Sequence, residues 1–164
     1  GFYPNTITKE AAKNILGLTN TFTFLVLGRI SPYKGIEAII ANFNEIAMNK
    51  ELKLLIGGKC DKNYEPIIND LIKDNPKIIF INKYIKYEDM QIYMNAADAL
   101  IVNYTYKPLD NLALKTTMLD AVEAIPKISG TSFNKNNSPA QIGKVLKDFY
   151  HSQLKLKENI NNNV

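Results

Sequence analysis

An α/β fold built on a doubly wound parallel sheet is predicted by three features of the sequence. Strand-like and helix-like segments alternate along the chain, the connections between them are short, and the strands are continuous apolar runs. Such strands are typical of a parallel sheet covered on both faces, and right-handed crossovers distribute the helices over the two faces. We therefore expect a Rossmann-like sheet of about five strands with helices on both faces.

The strands are predicted from short runs of β-branched and aromatic residues that stop at glycine or at polar residues. The first run is Phe22-Thr23-Phe24-Leu25-Val26-Leu27, which stops at Gly28. The other strands are predicted at residues 52–56, 77–81, 99–104 and 126–129.

The helices are predicted where apolar residues recur every three or four positions. A short first helix is expected to end at Gly17, and Ser138-Pro139 has the N-cap and first-turn residues of a last helix. The helices between them are predicted at residues 36–46, 64–73, 87–97 and about 114–124.

Length and composition indicate one globular domain. The chain has 164 residues, of which 46% are hydrophobic and 22% charged, as in an ordinary soluble protein. We expect residues 1–21 to form a linker and a short helix entering the domain, residues 22–154 to form the Rossmann-like domain, and residues 155–164 to form a polar tail. No apolar run approaches the ~18 residues that a membrane span needs.

Cysteine and histidine usage excludes several kinds of site. Cys60 is the only cysteine and His151 the only histidine, so neither an internal disulfide framework nor a Cys/His zinc site is available. A serine or cysteine nucleophile with a histidine base would have to use His151 in the predicted last helix. We expect no metal and no cofactor, and the sequence identifies no catalytic residue.

The charge balance is mildly basic. The formal net charge is +4, and the lysines are spread along the chain instead of forming one basic arm. A surface of this kind favours anionic ligands such as phosphates or an acidic membrane face, and we expect no nucleic-acid partner.

The loop after the first predicted strand carries the clearest chemical signal. It begins at Gly28, which permits a sharp turn, and Arg29 and Lys34 place two cations just before a helix N-terminus. A guanidinium can clasp phosphate oxygens, an ammonium acts as a point charge, and the N–H groups of the helix favour an anion. The loop therefore suits a diphosphate, and the alternative is a pair of solvated loop cations.

Three strings in order resemble a known family. FLVLGRISPYKG, LKLLIGGK and MQIYMNAADALIVNY are similar to motifs of the C-terminal, donor-binding half of GT-B glycosyltransferases in the family-4-like group, glycosyl transferases group 1. The opening GFYPN also resembles the linker that enters this half. The similarity covers roughly residues 1–128.

The resemblance implies a nucleotide-sugar site. It assigns Gly28, Arg29 and Lys34 to the donor diphosphate, and it places the nucleobase and ribose near Tyr84 and Ile85, in the stretch that begins at about residue 83. The substrate would be a UDP- or GDP-sugar. The acceptor would be a polysaccharide or glycolipid of bacteria, bound by an N-terminal domain of the same protein that this chain does not contain.

A second loop, before the helix predicted at about residue 114, is also implied in donor binding. Lys115 and Thr116 fall near the expected start of that helix and are assigned to the phosphates. We expect Arg29 and Lys34 to converge in one cleft without acidic partners, and Lys115 to approach it from the opposite helix start.

The same region departs from the family pattern. The family commonly has a pair of Glu residues there, or a shorter Ser-Gly-Ser variant. Counting back from Pro126 puts Leu119 at the second Glu, and a gap of one residue puts Asp120 there, where it could bind the ribose hydroxyls. The first Glu has no counterpart beyond Asp110 or Asn111. A non-catalytic Rossmann-like binding or regulatory module is therefore the alternative function.

Other features are given structural interpretations. Met90, Tyr93 and Met94 are expected in the core because of their spacing, and Asp98 is expected to cap or pair locally. On the resemblance, the protein is expected in the cytoplasm or bound peripherally to the inner face of the plasma membrane, where it could contact anionic lipid.

Overall fold

The structure is a computed structural model in which residues 4–103 and 111–131 are described. The chain divides into two compact units, Gly1–Ile125 and Pro126–Val164. The first unit contains the sheet, and in the second unit the description covers only residues 126–131. The helix predicted after Ser138 and the predicted tail at 155–164 lie outside the described residues.

Strands and helices alternate as predicted. The described strands are β1 Phe22–Leu27, β2 Leu52–Gly57, β3 Ile78–Ile81 and β4 Ala99–Leu100. The helices are α1 Lys9–Leu16, α2 Ile36–Ile46, α3 Glu65–Ile72, α4 Met90–Ala96 and α5 Asn111–Thr131, with single 3₁₀ turns at Pro32–Lys34 and Tyr87–Asp89.

The four described strands form one parallel sheet in the order β3-β2-β1-β4. β1 and β2 pair along their whole length, from Phe22 opposite Leu52 to Leu27 opposite Gly57. All carboxyl ends of parallel strands lie at one edge of the sheet, so the loops after β1 and β2 are neighbours there. Loops at this edge are where doubly wound proteins bind their ligands.

Two apolar cores cover the two faces of the sheet, as the fold prediction requires. Alternate residues of β1 point to opposite faces: Phe24 and Val26 pack with α2, α3 and α5, whereas Leu25 packs with α1 and α4. The period of two in each strand produces this division, because successive side chains of a strand lie on opposite faces. The predicted doubly wound α/β class is therefore confirmed.

Two of the strand predictions differ from the structure. The predicted fifth strand at residues 126–129 is wrong, because the backbone there belongs to α5, which continues to Thr131. A short apolar run cannot by itself distinguish a strand from a helix, and here the helix continues through Pro126. The fourth strand is shorter than predicted, since only Ala99–Leu100 pair with β1.

The first helix has the local signals expected of it. The Thr8 hydroxyl accepts a hydrogen bond from the Ala11 N–H at 3.2 Å, and Gly17 ends the helix with φ 67°. Among the described residues, no helix has the length and apolarity needed to cross a membrane.

Asp98 pairs locally, as predicted. Its carboxylate accepts hydrogen bonds from the Lys13 ammonium and the Thr23 N–H, both at 2.8 Å, and forms an ion pair with Lys9 at 2.5 Å. Burial alone would raise the pKa of Asp98, but the hydrogen bonds from Lys13 and Lys9 outweigh burial and hold this pKa below its usual value. Asp98 thus ties α1 to the sheet.

We expect Asp98→Asn to lower the free energy of unfolding at pH 7 by about 1–3 kcal/mol, because Lys13 then loses its charged partner. The folded-state pKa of Asp98 lies below the unfolded value of 3.8, so its stabilisation is present above pH 3.8 and is lost as the pH falls through the folded-state pKa. Urea unfolding measured from pH 7 to pH 3 gives the difference in the free energy of unfolding between the wild-type protein and Asp98→Asn. We expect this difference to become smaller as the pH falls below 3.8. The matched control is Asp74→Asn at an exposed carboxylate, for which a comparable loss would contradict this account.

Candidate functional site

The loops after β1 and β2 touch at the carboxyl edge of the sheet. A side chain at Gly58 would place its Cβ 1.8 Å from the Gly28 carbonyl oxygen, so the two backbones pack directly against each other. Gly58 has φ 144°, a conformation that other residues rarely adopt. One parallel bridge, between Ile30 and Cys60, continues the alignment beyond the strands. The position of each loop therefore depends on the other.

Two cavities lie on either side of Gly28. The first has a volume of about 290 Å³ and is lined by Lys34, by Asn103 and by apolar side chains that include Met90 and Met94. The second has a volume of about 440 Å³. It is lined by Leu27, Gly28, Arg29, Gly58, Lys59, Asp61, Tyr84, Ile85 and Met90. These volumes are in the range of ligand sites, and Leu27, Gly28 and Met90 border both cavities.

Lys34 lies over the glycine between the two cavities. Its ammonium donates a hydrogen bond to the Leu27 carbonyl oxygen at 2.6 Å and would be 3.1 Å from a Cβ at Gly28. Burial lowers the pKa of Lys34. Within residues 4–103 and 112–124 no carboxylate forms an ion pair with it. A partly desolvated cation without a counter-charge is a group that an anion would stabilise.

Arg29 lines the second cavity and is paired. Its Nε donates a hydrogen bond to Asp61 Oδ1 at 2.9 Å, and its Nη2 forms an ion pair with the same oxygen at 2.8 Å. The prediction that Arg29 and Lys34 converge unpaired in one cleft is therefore wrong for Arg29. The two cations instead flank Gly28, each beside a different cavity.

The residues expected at the nucleobase lie in the cavity of Arg29. Ile85 is buried and Tyr84 is 77% exposed, so the cavity has an apolar wall and a free aromatic ring at its rim. An exposed ring of this kind can stack on a planar base. The structure thus brings Gly28, Arg29, Tyr84 and Ile85 together, and their role in donor binding stays a prediction.

Lys115 is not at these cavities. Its ammonium binds Glu45 Oε2 at 2.5 Å, and Glu45 is the tenth residue of α2, about 14 Å along the helix axis from Ile36. The expected approach of Lys115 to the first loop is therefore wrong. The physical reason is that α5 begins at Asn111, so Lys115 lies in its second turn instead of at its start.

Thr116 and Asp120 lie on exposed positions of α5 and line neither cavity. Leu114 and Met118 of the same helix are buried in the core. The side chains of Thr116 and Asp120 are therefore not placed at the cavities beside Gly28, and the structure does not test a ribose contact by Asp120.

Sequence reasoning missed four residues of the site. Lys59 and Asp61 follow the second strand, and the pairing of β1 with β2 brings them beside Arg29. Met90 and Met94 were expected in the core. Met90 is partly buried against it whereas Met94 is 44% exposed, and both line the first cavity. The spacing of apolar residues correctly predicted that Tyr93 of α4 is buried. It could not show which apolar residues of α4 extend beyond the sheet and line a cavity instead.

Among the described residues, no group of three or more His, Cys, Asp or Glu side chains could hold a metal ion. The site combines loop backbone, a cationic side chain on each side of Gly28 and an exposed aromatic ring. Such a combination is typical of proteins that bind a nucleotide through its phosphates.

Comparison with known families agrees with this class of protein. The family model described as Glycosyl transferases group 1 matches residues 8–124, which is more than half of the chain. The chain therefore belongs to the glycosyl transferases group 1 family. The comparison with curated proteins found no significant match.

Two solved structures illustrate the shared fold. The C-terminal domain of the glycosyl transferase group 1 family protein LpcC from Francisella tularensis has 16% identity and a TM-score of 0.52, over 63% of this chain and 56% of that chain. Anabaena Alr3699/HepE, in complex with UDP and glucose, has 18% identity and a TM-score of 0.51, over 63% of this chain and 29% of that chain.

These structures confirm the predicted resemblance to the C-terminal domain of GT-B glycosyltransferases and the predicted fold class. The aligned part of this chain spans about half of the LpcC domain and less than a third of HepE.

Proposed function

We propose that this chain is the donor-binding domain of a glycosyltransferase and that it binds a nucleotide sugar at the two cavities beside Gly28. The observation that carries the proposal is Lys34, a partly buried ammonium without a carboxylate partner among the described residues, at the carboxyl edge of the sheet. Family membership supplies the class of reaction. The complex of HepE with UDP and glucose supports a nucleotide sugar as the ligand.

In the proposed mode of binding, the diphosphate lies across Gly28. Its phosphates are held by the ammonium of Lys34 on one side and by the guanidinium of Arg29 on the other, and Lys59 adds positive charge at the rim. The base lies against Ile85 and Tyr84 in the larger cavity. The sugar then occupies the smaller cavity.

The proposed chemistry is electrostatic. When the bond between the sugar and the diphosphate breaks, negative charge builds up on the leaving diphosphate. Fixed cations that face this charge stabilise the transition state more than the ground state. In this proposal the acceptor, a polysaccharide or glycolipid, is bound by an N-terminal domain of the same protein.

A non-catalytic binding module is the second candidate. The observations that favour it are the pairing of Arg29 with Asp61 and the position of Lys115 at the far end of α2. A module of this kind would keep the fold but would show no response to any nucleotide.

Calorimetric titration with UDP and GDP tests the proposal. We expect one of them to bind with a Kd of millimolar or lower. Arg29→Ala should weaken binding about 10- to 100-fold, because a charge-assisted hydrogen bond contributes about 1.5–3 kcal/mol. The matched control is Lys73→Ala, which removes an exposed cation paired with Asp70 and should change the Kd by less than twofold. If the wild-type protein binds neither nucleotide, the donor-binding proposal is wrong.

A further inference from the structure

Asp61 is an acidic residue in a cavity that is expected to hold an anion. We propose that Asp61 competes with the diphosphate for Arg29 and so sets the affinity of the site for phosphate-containing ligands. This inference rests on the proposed function, because it assumes that Arg29 contacts the diphosphate. The support for it is the geometry of the contact between Asp61 and Arg29.

The contact uses one edge of the guanidinium. Nε of Arg29 donates a hydrogen bond to Asp61 Oδ1 at 2.9 Å, and Nη2 lies 2.8 Å from the same oxygen in an ion pair. Nε and Nη2 form one of the edges through which a guanidinium clasps two oxygens of a phosphate. A diphosphate that binds Arg29 through this edge must therefore displace the carboxylate.

Displacing the carboxylate costs little free energy because the pair is exposed. The Arg29 side chain is 73% exposed and that of Asp61 is 34% exposed, and ion pairs of this kind contribute little to stability. In the proposed mode of binding the ligand also contacts Lys34 and Ile85, and these contacts offset the loss of the pair.

Backbone hydrogen bonds hold Asp61 in place, so only its side chain has to turn when the pair with Arg29 breaks. Its N–H donates to the Ile30 carbonyl oxygen at 3.0 Å, and its own carbonyl oxygen accepts hydrogen bonds from the N–H groups of Tyr64 and Glu65. The carboxylate therefore stays at the wall of the cavity after it leaves Arg29, where it repels the bound phosphates. Both effects lower the affinity for a diphosphate, and neither acts on a ligand that has no phosphate.

The test compares Asp61→Asn with the wild-type protein by titration with three probes: UDP, inorganic pyrophosphate and uridine. Asn keeps the shape of the side chain and removes its charge. We expect UDP and pyrophosphate to bind about two- to fivefold more tightly to Asp61→Asn, which is the range for an exposed ion pair, and uridine affinity to stay unchanged. The matched control is Asp70→Asn, which removes the same charge from the exposed pair with Lys73 and should leave all three affinities within experimental error.

The inference alone is overturned if UDP binds both proteins equally. It is also overturned if UDP binds Asp61→Asn more weakly, because the carboxylate would then orient Arg29 for the ligand. An equal gain for uridine would overturn it as well, since uridine has no phosphate. If neither UDP nor pyrophosphate binds to either protein, the proposed function and this inference are both wrong. A thermal unfolding curve for each variant shows that the fold is intact.

Discussion

Gly58→Ala is expected to destabilise the fold by more than about 3 kcal/mol. The new Cβ would lie 1.8 Å from the Gly28 carbonyl oxygen, so the two loops would have to separate. The φ of 144° adds conformational strain of about 1–3 kcal/mol for any residue with a side chain. Urea unfolding measures the change in the free energy of unfolding. A Gly58→Ala variant that does not fold at all would also agree with this prediction.

The matched control is Gly17→Ala. Gly17 also has a positive φ, 67°, but a Cβ there meets no atom within 4 Å, so the substitution has strain without a clash. We expect it to cost about 1 kcal/mol. Equal losses of stability for the two variants would show that the contact between Gly58 and Gly28 is not what holds the loops together.

Lys34→Met is expected to weaken the binding of a nucleoside diphosphate about 10- to 100-fold while changing the free energy of unfolding by less than about 1 kcal/mol. Methionine has a similar length and keeps the packing over Gly28, but it has no charge. Burial already lowers the pKa of Lys34, so the folded protein gains little from this ammonium until an anion binds. Titration and urea unfolding of the same preparation measure the two effects separately.

The control for this variant is Lys53→Met. The Lys53 ammonium also donates to a backbone carbonyl, that of Pro76 at 3.0 Å, but Lys53 lies near the amino end of β2 and lines neither cavity. We expect it to leave nucleotide affinity within twofold. A similar loss of affinity in both variants would mean that Lys34 acts only through the overall charge of the protein.

Much of the fold could be predicted because the sequence pattern is regular where the sheet is built. β1 has the predicted bounds, Phe22–Leu27, since its apolar run stops at a glycine that the turn requires. The prediction of a strand at 126–129 is wrong because four residues are too few to distinguish the period of two of a strand from the period of 3.6 of a helix.

The site could be predicted only in part, since it depends on contacts between loops. The family resemblance located Arg29, Lys34, Tyr84 and Ile85, which line the two cavities. No local pattern indicates that Asp61 meets Arg29, because that contact follows from the register of β1 against β2. Knowledge of which strands are neighbours would have suggested it, as the two residues follow adjacent strands.

The most direct test of the central claim is an amide NMR titration of the isotopically labelled chain with UDP. If the diphosphate lies across Gly28, the backbone signals of Gly28, Arg29, Gly58 and Ile85 should shift together with one saturating dissociation constant. The signal of Lys115, which is paired with Glu45 at the far end of α2, should stay in place. Shifts centred on Lys115 and its surroundings, or no saturable shift at any residue around Gly28, would contradict a nucleotide-sugar site at this edge of the sheet.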